Sequence, residues 1–130
     1  MTDKIVVLVT CGSIREAKRV AQAVVESRLA ACANIVTTPV KSIYWWKGKV
    51  ETASEVLVVI KSARKRFPAL EREIRKLHSY DVTEIIALPV IGGSAAYLDW
   101  LEESILSPQP AEMQKQIPHR RSQRQRSGSG

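Results

Sequence analysis

Apolar and polar positions along this chain switch between two periods, and the switches mark out its elements. Ile5-Val-Val-Leu-Val9 is an unbroken, largely β-branched run of strand length, and a strand apolar on both faces belongs in the middle of a covered sheet. It ends at Thr10-Cys11-Gly12. Ser13-Ile-Arg-Glu16 then has capping-box spacing, with Ser13 set to accept from the Glu16 amide while the Glu16 carboxylate reaches back. Ala17, Val20, Ala21, Val24 and Val25 recur at helical spacing, predicting a first helix that runs to Ser27. A long extended stretch, Ile35 to Trp46, is interrupted by Pro39, whose missing amide places it at an edge or a bulge. Lys47-Gly48-Lys49 reads as a hairpin turn, and Val50 to Lys61 returns as the antiparallel partner. Pro68 suits the first turn of a second helix whose Phe67, Leu70, Ile74 and Leu77 form one stripe. Glu84 to Val90 is a fourth strand, Gly92-Gly93 closes it, and Ala95 to Ile105 makes a short third helix.

Two strand–helix–strand units joined through a long hairpin form the split βαβ, ferredoxin-like arrangement. This predicts an α+β sandwich, with a four-stranded antiparallel sheet, two helices on one face and an added C-terminal helix. That domain occupies 1–107. From 108 to 130 the composition changes to Pro, Gln, Ser and Arg, too poor in apolar area to offset its ordering entropy. A flexible basic tail is expected there, its closing Ser127-Gly-Ser-Gly130 fitting a cloning remnant.

The net charge of +7 changes meaning once it is divided along the chain. The last 23 residues carry Lys115, Arg120, Arg121, Arg124 and Arg126 against Glu112, and so supply +4. The body keeps the remaining +3 spread over mixed-sign helices, an ordinary solvated surface. An RNA-reading sheet would interleave aromatics on its central strands, and Ile5 to Val9 and Val56 to Ile60 hold none, so no specific nucleic-acid role is expected. Apolar runs such as Val56 to Ile60 are far short of the roughly 20 residues that span a bilayer. Two cysteines, Cys11 and Cys32, make neither a disulfide framework nor a structural zinc pattern, and Met-Thr-Asp-Lys starts no signal peptide. A cytoplasmic protein without membrane contact is the expectation. No Ser/His/Asp order or paired-carboxylate site stands out, and Thr10-Cys-Gly-Ser13 lacks the arginine-flanked loop of an acyl-phosphate hydrolase, which argues against catalysis.

Tyr44, Trp45 and Trp46 gather at the tip of the hairpin. Consecutive strand residues face opposite sides, so at least one of these rings turns away from the core of its own chain. Large aromatics on long antiparallel edges are usually paired off in a closed homo-oligomer.

Leu29-Ala-Ala-Cys-Ala-Asn-Ile35, Ser42-Ile-Tyr-Trp-Trp-Lys-Gly-Lys49, Leu77-His-Ser-Tyr80, Thr83-Glu-Ile85 and Tyr97-Leu-Asp-Trp100 together resemble the successive landmarks of the CutA family of divalent-cation tolerance proteins, over residues 4 to 105. The resemblance implies a homotrimer with interlocking long strands, built like the PII signalling trimers. It also implies a non-enzymatic connection with copper(II) and other divalent cations. Where the family usually reads His-Pro-Tyr-Glu and Val-Pro-Glu, this chain has His78-Ser79-Tyr80-Asp81 and Val82-Thr83-Glu84. Without the prolines the loop is less rigidly pre-set. Some members carry a cysteine at the end of the first strand; Val9 occupies that position here and Cys11 follows two residues on.

Against that background His78, Glu84 and Cys11 are the candidate metal ligands, since imidazole, carboxylate and thiolate together suit copper or zinc. The same residues have a plainer reading: His78 ends a helix against the negative end of its dipole, and both cysteines are small buried residues. A second use of the region is a small-molecule pocket between subunits lined by Tyr44, Trp46, Lys61 and Tyr80 beside His78 and Glu84. The plainer alternative there is interface packing for the aromatics and solvation for Lys61.

Overall fold

A computed structural model describes residues 2–106, so the expected basic tail, 108–130, lies outside the described residues. Its elements are β1 (Lys4–Cys11), α1 (Ile14–Glu26), β2 (Cys32–Trp46), β3 (Lys49–Ala63), α2 (Phe67–Leu77), β4 (Ile85–Pro89) and α3 (Ala95–Ile105), with a single 3-10 turn at Arg64–Arg66 leading into α2. The strands form one antiparallel sheet in the order β2-β3-β1-β4. The split βαβ arrangement is therefore present, with β1 central as its apolar run predicts.

Alternation along the strands sorts the sheet into two faces. Ile5, Val7, Val9 and Cys11 of β1 and Val56, Val58 and Ile60 of β3 point to one side, where Ala17, Val20 and Val24 of α1 and Leu70 and Ile74 of α2 cover them. Each fully buried Val or Ile in this layer contributes about 1.5–3 kcal/mol. On the other side Val6, Leu8, Leu57 and Val59 are only partly covered. Ile86 and Leu88, which pair with Leu8 and Val6, are 48% and 45% exposed. An apolar strand buried on one face and open on the other is half of a two-sided core.

β2 and β3 outrun β1. β1 pairs β3 only as far as Cys11 with Val56, while β2 and β3 continue for seven further pairs, from Val40–Glu55 to Trp46–Lys49. That leaves a ribbon about 20 Å long beyond the sheet. The register shifts between Val36 and Val40, around Pro39 on an edge strand, which is where a residue without an amide is tolerated. The turn is tighter than the sequence suggested: Lys47 and Gly48 form it, at φ 48° and 79°, and Lys49 is already in the strand. Two positive φ values in a two-residue loop match the right-handed twist of the ribbon. Tyr44, Trp45 and Trp46 are all exposed there.

The helices are stopped and started by local chemistry. Ser13 accepts from the Glu16 amide at 3.1 Å, and Ser94 does the same for the Tyr97 amide at 3.2 Å. α3 packs Leu101 and Ile105 with Ala31 and Ala63 in a second, smaller cluster at the end of the sheet where β1 begins. Polar ties hold it there. Lys4 Nζ lies 2.7 Å from Glu102 Oε1, Lys65 Nζ lies 2.7 Å from Glu102 Oε2, Arg28 donates to the Ser104 carbonyl at 2.8 Å, and the Arg66 guanidinium donates to the Ile105 carbonyl. Among the described residues no helix is long and apolar enough to cross a membrane.

Candidate metal centre

The end of β1, the start of α1 and the end of α2 converge at one corner of the domain. Cys11 is the last residue of β1 and is fully buried. Glu16 sits in the first turn of α1, and His78 caps the C-terminus of α2, its amide bonded to the Ile74 carbonyl at 2.9 Å. Both side chains are buried. Cys11, Glu16 and His78 each bring one ligand-type atom to within 4.8 Å of the others.

Glu16 and His78 are already engaged. Glu16 does not reach back to complete the capping box; its Oε1 accepts from the Ser79 amide at 3.0 Å and its Oε2 from the Ser79 hydroxyl at 3.1 Å. Burial works against the Glu16 charge. The two Ser79 donors and the backbone at Gly12 outweigh it and hold the carboxyl below its ordinary range. His78 Nε2 stands 2.7 Å from the Thr10 carbonyl, and its Nδ1 is 3.1 Å from the Tyr80 amide. A carbonyl only accepts and an amide only donates, so the imidazole is neutral with its proton on Nε2. The ring therefore points at β1 rather than at the dipole of α2. Burial pushes the Cys11 thiol up to about 12, with the negative charges of Glu16 and Glu55 adding to the effect.

Tyr80 closes the corner. Its ring meets that of His78 edge-on at 4.7 Å, and its hydroxyl donates to Glu55 Oε2 at 3.0 Å. A Cβ built on Gly12 would stand 3.3 Å from the Tyr80 hydroxyl oxygen, a contact tight enough to press the ring back by a few tenths of an ångström. Burial and the neighbouring Glu55 raise the phenol to about 12. Tyr44 is close enough to add to that shift.

The structure thus brings together two of the three predicted ligands, Cys11 and His78. Glu84 is exposed at the entry to β4 and joins no such group among the described residues. Glu16 stands in its place. The signal for Glu16 was its i+3 spacing from Ser13, which reads as a cap and conceals a partner 63 residues away. The predicted pocket residues do not gather within one chain. Tyr44 approaches Tyr80, Trp46 lies at the hairpin tip with Lys47 Nζ 5.8 Å from its ring centre, and Lys61 pairs with Cys32 and Val6 at the other end of β3. Six residues along a strand separate Lys61 from Glu55, about 20 Å. Cys32 is only half buried, its Sγ 3.9 Å from Asn34 Oδ1, rather than the core residue expected. A separate open groove of about 320 Å³ runs between Arg64, Phe67 and Pro68 and the strand residues Ile5, Ala87, Leu88 and Pro89. It holds none of the predicted site residues.

Chemically, the corner is poor in nucleophiles and well supplied with ligands. A Cys–His–Glu set could suggest a nucleophilic triad, but both imidazole nitrogens are committed to backbone and the thiol is far from ionised at neutral pH. As a donor set for a borderline cation, thiol, imidazole and carboxylate from three elements are well matched.

The domain as a whole also matches known proteins. Residues 5–104 match the family described as CutA1 divalent ion tolerance protein. The chain is 50% identical over 95 residues to mouse Protein CutA, covering 73% of this chain and 53% of that one. It is 46% identical over 99 residues to the divalent-cation tolerance protein CutA of Thermus thermophilus, covering 76% and 95%. It therefore spans about half the length of the mouse relative and nearly all of the bacterial one. Among solved structures it is similar to the Thermus thermophilus divalent cation tolerance protein, with a TM-score of 0.76 and 46% identity over 78% of this chain and 97% of that one. The periplasmic divalent cation tolerance protein CutA of Archaeoglobus fulgidus also gives 0.76, with 36% identity over 79% and 99%. The names of relatives include periplasmic and chloroplastic proteins, compartments other than the cytoplasm expected from the first residues.

Proposed function

Because this chain belongs to the CutA1 divalent ion tolerance family, we propose that it acts as a homotrimer that binds a divalent cation, copper(II) or a similar borderline ion, without enzymatic turnover. Cys11, Glu16 and His78 would hold the ion. The observation that carries this reading is the convergence of those three donors, from β1, α1 and the end of α2, within 4.8 Å. When bound, such an ion supplies a fixed positive charge at this corner. The residues of the chain do the rest: Ser79 orients the Glu16 carboxylate, Thr10 fixes the His78 tautomer, and Cys11 gives up its proton as it becomes a ligand.

The trimeric part rests on apolar surface that one chain leaves uncovered: Ile86 and Leu88 on the open face, and Trp45, 74% exposed, on the projecting ribbon. Calorimetric titration of the purified full chain with zinc, then copper(II), tests the cation site. One equivalent per chain is expected, lost in Cys11→Ser and His78→Ala, weakened in Glu16→Gln and unchanged in Glu84→Ala. Equal binding by all four variants and the parent protein would sink the site.

A further inference from the structure

A cation centre built on Cys11, Glu16 and His78 has no open path in this conformation. Cys11 is fully buried, Glu16 and His78 are 6% and 8% exposed, and the Tyr80 ring lies against Gly12 and His78 over them. The imidazole adds a stricter constraint. A ring nitrogen has one in-plane lone pair or one proton, never both. Nδ1 spends its lone pair on the Tyr80 amide, and Nε2 spends its proton on the Thr10 carbonyl. An ion at Nδ1 must evict the Tyr80 amide. An ion at Nε2 must move the proton to Nδ1, which then faces the same amide and loses it as well. Glu16 is less constrained, since a carboxylate keeps spare lone pairs while it accepts from Ser79.

We propose that Tyr80 is a cation-released lid: an ion on His78 and the docked position of Tyr80 exclude one another, so binding frees the segment from Tyr80 towards Glu84 and uncovers Glu55. This rests on the cation reading above and adds its regulation. The docked lid has four holds, namely the amide on His78, the hydroxyl on Glu55, the ring edge-on to His78 and the ring against Gly12. No proline stiffens the segment at 79 or 83. Linkage makes the coupling reciprocal: whatever loosens the lid must tighten the cation.

Hydrogen–deuterium exchange of the full chain with and without zinc chloride, read alongside zinc calorimetry, tests the lid. Zinc should speed exchange at the Tyr80 amide at least tenfold. Tyr80→Phe removes the Glu55 bond from the closed state alone and should bind zinc about five-fold more tightly, the equivalent of one ordinary hydrogen bond. Gly12→Ala, whose methyl would crowd the phenol at 3.3 Å, should shift affinity the same way. Zinc binding that depends on His78 but leaves Tyr80 exchange unchanged or slower, or that weakens in Tyr80→Phe, overturns the lid and spares the cation site. Zinc binding indifferent to Cys11→Ser and His78→Ala overturns both.

Discussion

If the open face of the sheet is where three chains meet, Ile86→Ser with Leu88→Ser should dissociate the trimer. The two side chains are 48% and 45% exposed in one chain, so about half of each is available for burial against a partner. Complete burial of an Ile or Leu is worth about 1.5–3 kcal/mol, which leaves about 0.7–1.4 kcal/mol for each half. Two such residues in each of three chains give about 4–8 kcal/mol per trimer. At 1.4 kcal/mol per tenfold, that is a loss of roughly three to six orders of magnitude in the assembly constant. The other half of each side chain packs within its own sheet, so the variant chain is also weakened, and circular dichroism must show that it remains folded. Sedimentation velocity over a hundredfold range of concentration should find three chain masses for the parent protein and one for the variant at the lowest loading. Ile14→Ser, at an exposed position on the helical side, should sediment as the parent does. A double variant that sediments and melts as the parent does, or a parent that is already monomeric, would refute the argument.

Glu102→Gln should loosen α3. The carboxyl is held below its ordinary range by Lys4 and then Lys65, against the opposing effect of burial. A depressed carboxyl contributes its stability fully above its unfolded value near ~4.3 and loses it as pH falls through the folded value. Glu102 is 35% exposed, so about 1 kcal/mol is expected at pH 7. The melting temperature should drop by about 4–8 °C there, with the gap from the parent protein closing below pH ~4. Ile74→Ala, at a fully buried position on α2 in the main core, should cost about 3 kcal/mol in urea unfolding, where a cost below 1 kcal/mol would show that the helix layer collapses around the gap. Gly48→Ala has nothing within 4 Å of the new methyl but sits at φ 79°; a loss of about 1 kcal/mol is expected from the backbone alone, and no loss would mean the turn has another form.

The fold was legible because its signals are local. The apolar run at Ile5–Val9, the cap at Ser13, the amide-less Pro39 and the stripe on α2 each specify their own element, and their order specifies the split βαβ sheet. The open face was half legible. A run apolar on both sides announces two coverings, and the sequence names only the helices that supply the first. The site was least legible, since His78 and Cys11 meet through the register of β1 and the exit of α2, which no spacing encodes. Glu84 shares a loop with His78, yet six residues of loop and strand entry carry it away to an exposed position. What brings Glu16 in instead is the residue at 79. A proline there would have no amide to donate. Serine offers an amide and a hydroxyl at the mouth of a nearly closed corner, and a carboxylate one turn into α1 accepts both. That pair restores by hydrogen bonding some of the restraint that a proline would have supplied through the backbone. The restraint is of a different kind: a ring-locked dihedral cannot be undone by a ligand, whereas bonds to Glu16 and His78 can be exchanged for bonds to an ion. Ser79 thus sits at the start of the segment whose docking is proposed to govern access to the centre.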